Sequence, residues 1–201
     1  MSLVFDPSAL KPLPEGRQNL TANGRAAVLV AIVGEPDNYS LLLTKRALHL
    51  SNHGGEVAFP GGMWEPGDQF PQDTALREAQ EEVALSVHQA NVMGLLPSQD
   101  TRNSTRVTPV VATIPADLPL TPSPDEIHSI FYVPLAELLA DHRVRTDVFQ
   151  YRGLVRWVPV FEFQGYEIWG FTAGVIITLL ERCFGAKFAR QHSAPEKLWS
   201  V

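Results

Sequence analysis

At 201 residues the chain is long enough to bury one good core and too short for two ordinary domains, so a single domain over 1–201 is expected, its core at about 24–185 between an N-terminal arm and a C-terminal tail. A formal net charge of -6 argues against a general nucleic-acid binder, which needs a basic stripe, and points to a small-molecule partner. The lone cysteine, Cys183, excludes an internal disulfide; in the apolar stretch 176–184 it reads as a packing residue and suits a reducing, cytoplasmic compartment.

No cationic start followed by an apolar stretch opens the chain, so no secretory signal is expected. Proline and polar residues dominate the first two dozen positions, which read as a surface arm or short helix. The longest uninterrupted apolar run, Ala26 to Val33, is far short of the ~18 residues of a membrane span and reads as a buried strand. After the turn cluster at 34–38, a second strand over 39–44 completes a hairpin. Glu56 to Phe59 is a short strand that delivers the turn Gly61-Gly62, and Pro71 sits where a helix start tolerates its ring. The helix that follows runs to about Val87. Strands are expected at 107–114 and 130–133, with a stiff proline loop between them and a short helix at 135–140 after them. A hairpin then folds 157–163 onto 166–169 around Gln164-Gly165, and a largely buried helix spans 172–184. Strands mixed with two substantial helices place the chain in the α/β class.

The helix at 71–87 carries the most informative residues. At about 100° per residue, Glu78, Glu81 and Glu82 share one face, and Leu76, Ala79 and Val83 share another. A run of glutamates is most often a solvated face. Here, however, Glu78 and Glu82 repel at i,i+4, and between Gly61 and Asp100 there is one arginine, Arg77, and no lysine to relieve them. Carboxylates at that density suit a hard divalent cation, which Mg²⁺ chemistry couples to the phosphates of a substrate.

These residues resemble the Nudix box, Gly-x5-Glu-x7-Arg-Glu-apolar-x-Glu-Glu-x-Gly-apolar, of hydrolases that cleave a nucleoside diphosphate linked to another moiety. Gly62, Arg77, Glu78, Ala79, Glu81, Glu82 and Leu85 stand where that pattern wants them. Asp68 takes the first acidic place, one extra residue separates it from Arg77, and Ala84 replaces the late glycine. Upstream, Leu42-Leu43-Thr44-Lys45-Arg46-Ala47, Gly55 and Phe59-Pro60-Gly61-Gly62 resemble the additional signature of the coenzyme A pyrophosphatase branch, although Ser51 stands where that branch has an arginine. The segment 167–173 is similar to the opening of the last helix in many Nudix domains.

The resemblance implies an α/β/α sandwich with a mixed β-sheet, a need for Mg²⁺ or Mn²⁺, and hydrolysis of coenzyme A or acyl-CoA to adenosine 3',5'-bisphosphate and (acyl-)4'-phosphopantetheine. The alternatives are an ADP-ribose, nucleotide-sugar or dinucleotide diphosphatase and, in a different class, a non-hydrolysing metabolite-sensing module. A homodimer is common in the family, and neither a nucleic acid nor a membrane is expected as a partner. Glu78 and Glu82 are the first choice of metal ligand, Glu81 a third ligand or the acceptor of the water proton, and the Gly61 carbonyl a backbone ligand by resemblance. Glu126 is a loop candidate for the proton acceptor. Arg77 orients the glutamates through charge-assisted hydrogen bonds. Arg46, His53 and Gly62 are the substrate-binding candidates. Glu56 is a further metal candidate, and Trp64 either stacks on a base or plugs the core.

Overall fold

The computed structural model describes residues 3–14, 25–101, 104–151 and 154–200. Its elements in chain order are β1 (Arg25–Val33), β2 (Ser40–Arg46), β3 (Val57–Ala58), β4 (Gly61–Met63), α1 (Pro71–Val83), β5 (Asn91–Leu95), β6 (Gln99–Asp100), β7 (Arg106–Ile114), β8 (Ile127–Pro134), α2 (Leu135–Leu139), β9 (Arg145–Tyr151), β10 (Leu154–Phe163), β11 (Tyr166–Ile168), α3 (Gly170–Cys183) and β12 (Glu196–Ser200).

The apolar run at 26–33 is the central strand. β1 pairs antiparallel with β2 at one end and with β4 at the other, and runs parallel to β7 along its whole length. The sheet is therefore mixed, as expected. Strand pleating sends alternate side chains to opposite faces. Ala27, Leu29, Ala31 and Val33 pack with Ala75, Ala79 and Val83 of α1, whereas Val30 and Ile32 pack with Val175, Ile176, Leu179 and Leu180 of α3. An eight-residue run hydrophobic on both faces is what a strand between two helical layers requires.

Five strands missing from the sequence reading, β4, β5, β6, β9 and β12, have a physical reason for escaping notice: β4 opens on Gly61-Gly62, which reads as a turn but pairs with β1. β5 carries a register shift around Gly94, and β6 is two residues long. β9 buries Thr146 and Asp147 completely, so polar side chains are sunk on both of its faces where a strand pattern calls for apolar residues. β12 pairs parallel with β9, and β9, β10, β11 and β12 form a second, four-stranded sheet. The expected C-terminal tail is therefore in part an edge strand. The described part of the arm, 3–14, also docks on the core, the rest of it lying outside the described residues: Asp6 donates its N–H to the Cys183 carbonyl at 2.8 Å, and Leu10 is buried.

α1 stops at Val83 rather than near Val87. Ala84 takes a left-handed conformation (φ 58°), and its N–H still reaches the Ala79 and Gln80 carbonyls. That geometry closes the helix and drops Leu85 into the core. At the other end, Pro71 occupies the first turn, and the Asp73 carboxylate accepts from the Gln69 and Phe70 N–H groups at 2.8 and 3.0 Å, satisfying donors that a helix start leaves free.

Candidate active site

β4 runs across the acidic face of α1, and two glycines allow the contact. A Cβ on Gly61 would lie 2.4 Å from the Ala27 carbonyl oxygen, and one on Gly62 would lie 2.4 Å from Glu78 Oε1. The backbone leaves no room for a side chain at Gly61, and one at Gly62 would have to displace the Glu78 carboxylate. The carboxylates can therefore approach the strand backbone, and Gly61 donates its N–H to Glu82 Oε2 at 3.1 Å.

Glu82 is 2% exposed. Burial, opposed by the Gly61 N–H and the Arg46 charge, pushes its pKa up to about 8. Glu78 is also raised, again through burial, against the lowering influence of Arg77. Each glutamate feels the negative charge of Glu126 from the loop ahead of β8. That loop is docked on the end of α1, where Ser123 donates to the Glu82 carbonyl at 2.8 Å. Glu126 itself is exposed.

Arg77 is the organising cation. Its Nη1 donates to Glu78 Oε1 at 3.0 Å and to Glu81 Oε2 at 3.1 Å, while Nη2 donates to the Met63 carbonyl at 2.9 Å and to Asp68 Oδ2 at 3.2 Å. Asp68 also accepts from Thr74 Oγ1 at 2.8 Å and from the Glu65 N–H at 3.0 Å. Although burial works against it, the bonds from Arg77, Glu65 and Thr74 leave the Asp68 carboxyl below its ordinary pKa. The one-residue insertion ahead of Arg77 is therefore absorbed in the loop, and the shorter acid still reaches the guanidinium.

Arg46 arrives from the opposite side. Leu41, Leu42, Leu43 and Thr44 are buried in β2. A register shift between Lys45 and Arg46 against β8 then interrupts the ladder, the kind of bulge that re-aims a side chain. Arg46 Nη1 lies 3.4 Å from Glu82 Oε1, and its buried Nε has no hydrogen-bond partner among the described residues.

The other candidates divide. Glu78, Glu82, Arg46, Arg77, Gly61 and Gly62 come together, whereas Glu81 is largely exposed and turned to Arg77. His53 pairs with Glu56 at 3.0 Å on an exposed turn, and neither bonds to the box glutamates. Trp64 is anchored by its Nε1–H on the Asp68 carbonyl at 2.8 Å. Among the described residues no three His, Cys, Asp or Glu side chains gather as a closed metal cage. A pair of half-neutralised carboxylates still fits Mg²⁺ or Mn²⁺, since such ions take one or two protein carboxylates and fill the remaining positions with water and substrate phosphate.

The NUDIX domain family matches residues 23–158. The chain belongs to the Nudix family. It is 46% identical over 152 residues to the uncharacterized Nudix hydrolase NudL of Cronobacter sakazakii, covering 76% of this chain and 79% of that protein. To the NudL protein of Escherichia coli K12 it is 42% identical over 164 residues, 81% of this chain and 84% of that one. Among solved structures, a MutT/nudix family protein from Enterococcus faecalis aligns with a TM-score of 0.52 at 18% identity, over 86% of this chain and 64% of that chain. At that identity the likeness is one of fold. Nudix membership makes the protein a hydrolase acting on nucleoside diphosphate derivatives, and the family generally uses divalent metal ions. No helix among the described residues is long and apolar enough to cross a membrane.

Two partners of the Nudix box had no signal of their own in the sequence. Thr74 is an ordinary first-turn residue until its hydroxyl is seen on Asp68, and the Met63 carbonyl is backbone. Only a spacing argument that places Asp68 over the first turn of α1 would have found Thr74.

Proposed function

We propose that this Nudix hydrolase splits the diphosphate of coenzyme A or of its acyl thioesters, releasing adenosine 3',5'-bisphosphate and (acyl-)4'-phosphopantetheine. The observation that carries the reading is the meeting of two separate sequence signatures at one carboxylate. Arg46, the last residue of β2, reaches Glu82 of the box at 3.4 Å and keeps a buried Nε–H unused. A guanidinium with spare donors beside a buried acid is suited to a diphosphate oxygen, which it grips through charge-assisted hydrogen bonds.

In the reaction, a water oxygen bonds to one phosphorus, the bridging P–O bond breaks, and the water gives up its proton. Glu78 and Glu82 would hold the divalent ion, Mg²⁺ or Mn²⁺, which when bound supplies the positive charge that lets water approach an anionic phosphorus and makes that water more acidic. Arg77 fixes Glu78 and Glu81 in place, and Asp68 with Thr74 fixes Arg77. Glu126 is assigned as proton acceptor in preference to Glu81, because the Glu81 carboxylate is already engaged by the Arg77 guanidinium at 3.1 Å, whereas Glu126 is exposed on the loop whose charge both Glu78 and Glu82 feel. The lone, buried Cys183 agrees with a cytoplasmic setting.

Assaying the purified protein with Mg²⁺ or Mn²⁺ against coenzyme A, ADP-ribose, NADH and diadenosine polyphosphates tests the reading. Coenzyme A is expected to be cleaved first, and cleavage of ADP-ribose far ahead of it would overturn the substrate assignment. Ser51, exposed on the turn after β2 where the coenzyme A branch has an arginine, is the observation that keeps ADP-ribose and other dinucleotides as the second reading.

A further inference from the structure

A cavity of about 510 Å³ opens beyond the N-terminal end of α1, on the same side of the sheet as the box. Its volume is in the range of small-molecule sites. Arg25 of β1 and Arg106 of β7 are direct partners in a parallel ladder, so their side chains leave the same face about 5 Å apart. Lys11 joins them on the cavity wall. Like charges directly opposite each other on a sheet are destabilising, and the carboxylate that pairs with Arg106, Asp100, is 3.7 Å away with both side chains largely exposed. The arrangement mirrors the box with the sign reversed: among the described residues three cations gather and one exposed carboxylate, Asp100, pairs with one of them.

The cavity lies next to the box, sharing neighbours with it rather than box residues themselves. Thr74 lines it, and Glu78 follows one helical turn later on the same face of α1, about 6 Å along the axis. Ala27 also lines it and is the ladder partner of Gly62, the glycine beneath the Glu78 carboxylate. Trp64 and Leu95 give it apolar walls against which a planar base can lie.

Resting on the coenzyme A reading above, we propose that this cavity receives the 3'-phosphorylated adenosine of the substrate, with Arg25, Arg106 and Lys11 gripping the 3'-phosphate. A diphosphate held at Glu78 and Glu82 leaves the adenosine one helical turn away, and the 3'-phosphate is the charged group that separates coenzyme A from ADP-ribose and other dinucleotides. These three cations then determine specificity.

Dephospho-coenzyme A, identical except for the missing 3'-phosphate, isolates this interaction. Wild-type protein should prefer coenzyme A over the dephospho form by roughly tenfold to a hundredfold in kcat/KM, the worth of a charge-assisted contact. Arg106→Gln and the Arg25→Gln/Arg106→Gln pair should bring that ratio towards one through KM, while turnover of dephospho-coenzyme A stays as it was, which also reports an intact fold. A wild-type enzyme with no preference, a preference unchanged in both variants, or an equal loss for both substrates would overturn the proposal. Should wild-type protein cleave neither substrate, the coenzyme A reading fails separately, and calorimetry with adenosine 3',5'-bisphosphate decides the cavity. Binding abolished in the double variant upholds it, and no binding to wild type removes it.

Discussion

Two groups of charged side chains stand out among the described residues: Arg143, Arg145 and Lys197 match Asp141, Asp147 and Glu167 in number, whereas the group around the Nudix box has fewer cations than acids. In the second sheet, Arg145 donates to Asp147 Oδ1 at 2.8 Å and to Glu167 Oε2 at 2.6 Å. The fully buried side chain of Arg143 is met by Asp141, the Thr146 hydroxyl at 3.3 Å and the Ala189 carbonyl at 3.1 Å. Hydrogen bonds from Arg145 hold the Glu167 carboxyl below its ordinary pKa. Around the Nudix box, Arg46 and Arg77 face Asp68, Glu78, Glu81 and Glu82, with the charge of Glu126 added, and burial raises Glu78 and Glu82. A buried charge cluster that satisfies itself ties strands together. One left with surplus negative charge suits a hard divalent cation, the role proposed above for Glu78 and Glu82.

The largest test of that contrast is Glu82→Gln. It keeps the shape and the bond from the Gly61 N–H but removes the charge, so activity should fall on the order of 10³-fold in a steady-state assay, while metal-free protein should not lose stability. The two clusters also respond to pH with opposite sign. Glu82 has a folded-state pKa of about 8 against an ordinary 4.5, so its contribution to stability is complete below about pH 4.5 and is lost as pH rises through about 8. Glu167, held low, contributes above its ordinary value and loses that contribution as pH falls through its depressed one. Thermal melts in EDTA from pH 5 to 8.5 should show wild type weakening, and Glu82→Gln should flatten the curve. An identical slope in the two proteins would remove Glu82 as its source.

Gly62→Ala comes next. The added Cβ would meet the Glu78 carboxylate at 2.4 Å, and a side chain can swing away where a backbone cannot, so the fold should survive with Glu78 displaced. Activity should drop about 10- to 100-fold, in keeping with the cost of misplacing a catalytic group by an ångström or so. The loss should appear in kcat more than in KM. Wild-type rates would mean that Glu78 has no need of its present position.

Arg145→Met is the counterpart in the balanced cluster. It leaves Asp147, which is fully buried, without its cation, and should cost about 1–3 kcal/mol in chemical denaturation. Turnover at saturating substrate should change less than about twofold, because no box residue touches Arg145. A large loss of activity at unchanged stability would join the two clusters functionally and undo the distinction between them.

The same contrast explains what could be read from the chain directly. The box was legible because its residues are close in sequence and their repulsion is visible on a helical wheel. β1 was legible because it is apolar on both faces. β9 was not, since it buries the polar Thr146 and Asp147 on opposite faces, and the partner of Asp147, Arg145, lies two residues away and is completed by Glu167 from another strand. The cavity beside the box was equally hidden: Lys11, Arg25 and Arg106 are scattered over 96 positions, and only the parallel pairing of β1 with β7 brings two of them together. Local charge patterns can be read from a sequence, whereas charges brought together by sheet register cannot.

The smallest effect expected concerns the end of α1. Ala84 occupies the box position where the family pattern has glycine, and it is held at φ 58°, a conformation that costs an L-residue with a Cβ about 1 kcal/mol or more. Ala84→Gly relieves that strain but gains flexibility in the unfolded chain, so the net stabilisation should be about 0.5–1 kcal/mol, or roughly 1–4 °C in a chain of this size. Ala84 is exposed, so packing is unaffected and the effect isolates the backbone. Because the cap lies two residues beyond Glu82, a firmer helix end should leave kcat unchanged. If the glycine variant is instead less stable, the Ala79 and Gln80 carbonyls that cap this turn already hold the left-handed residue without strain.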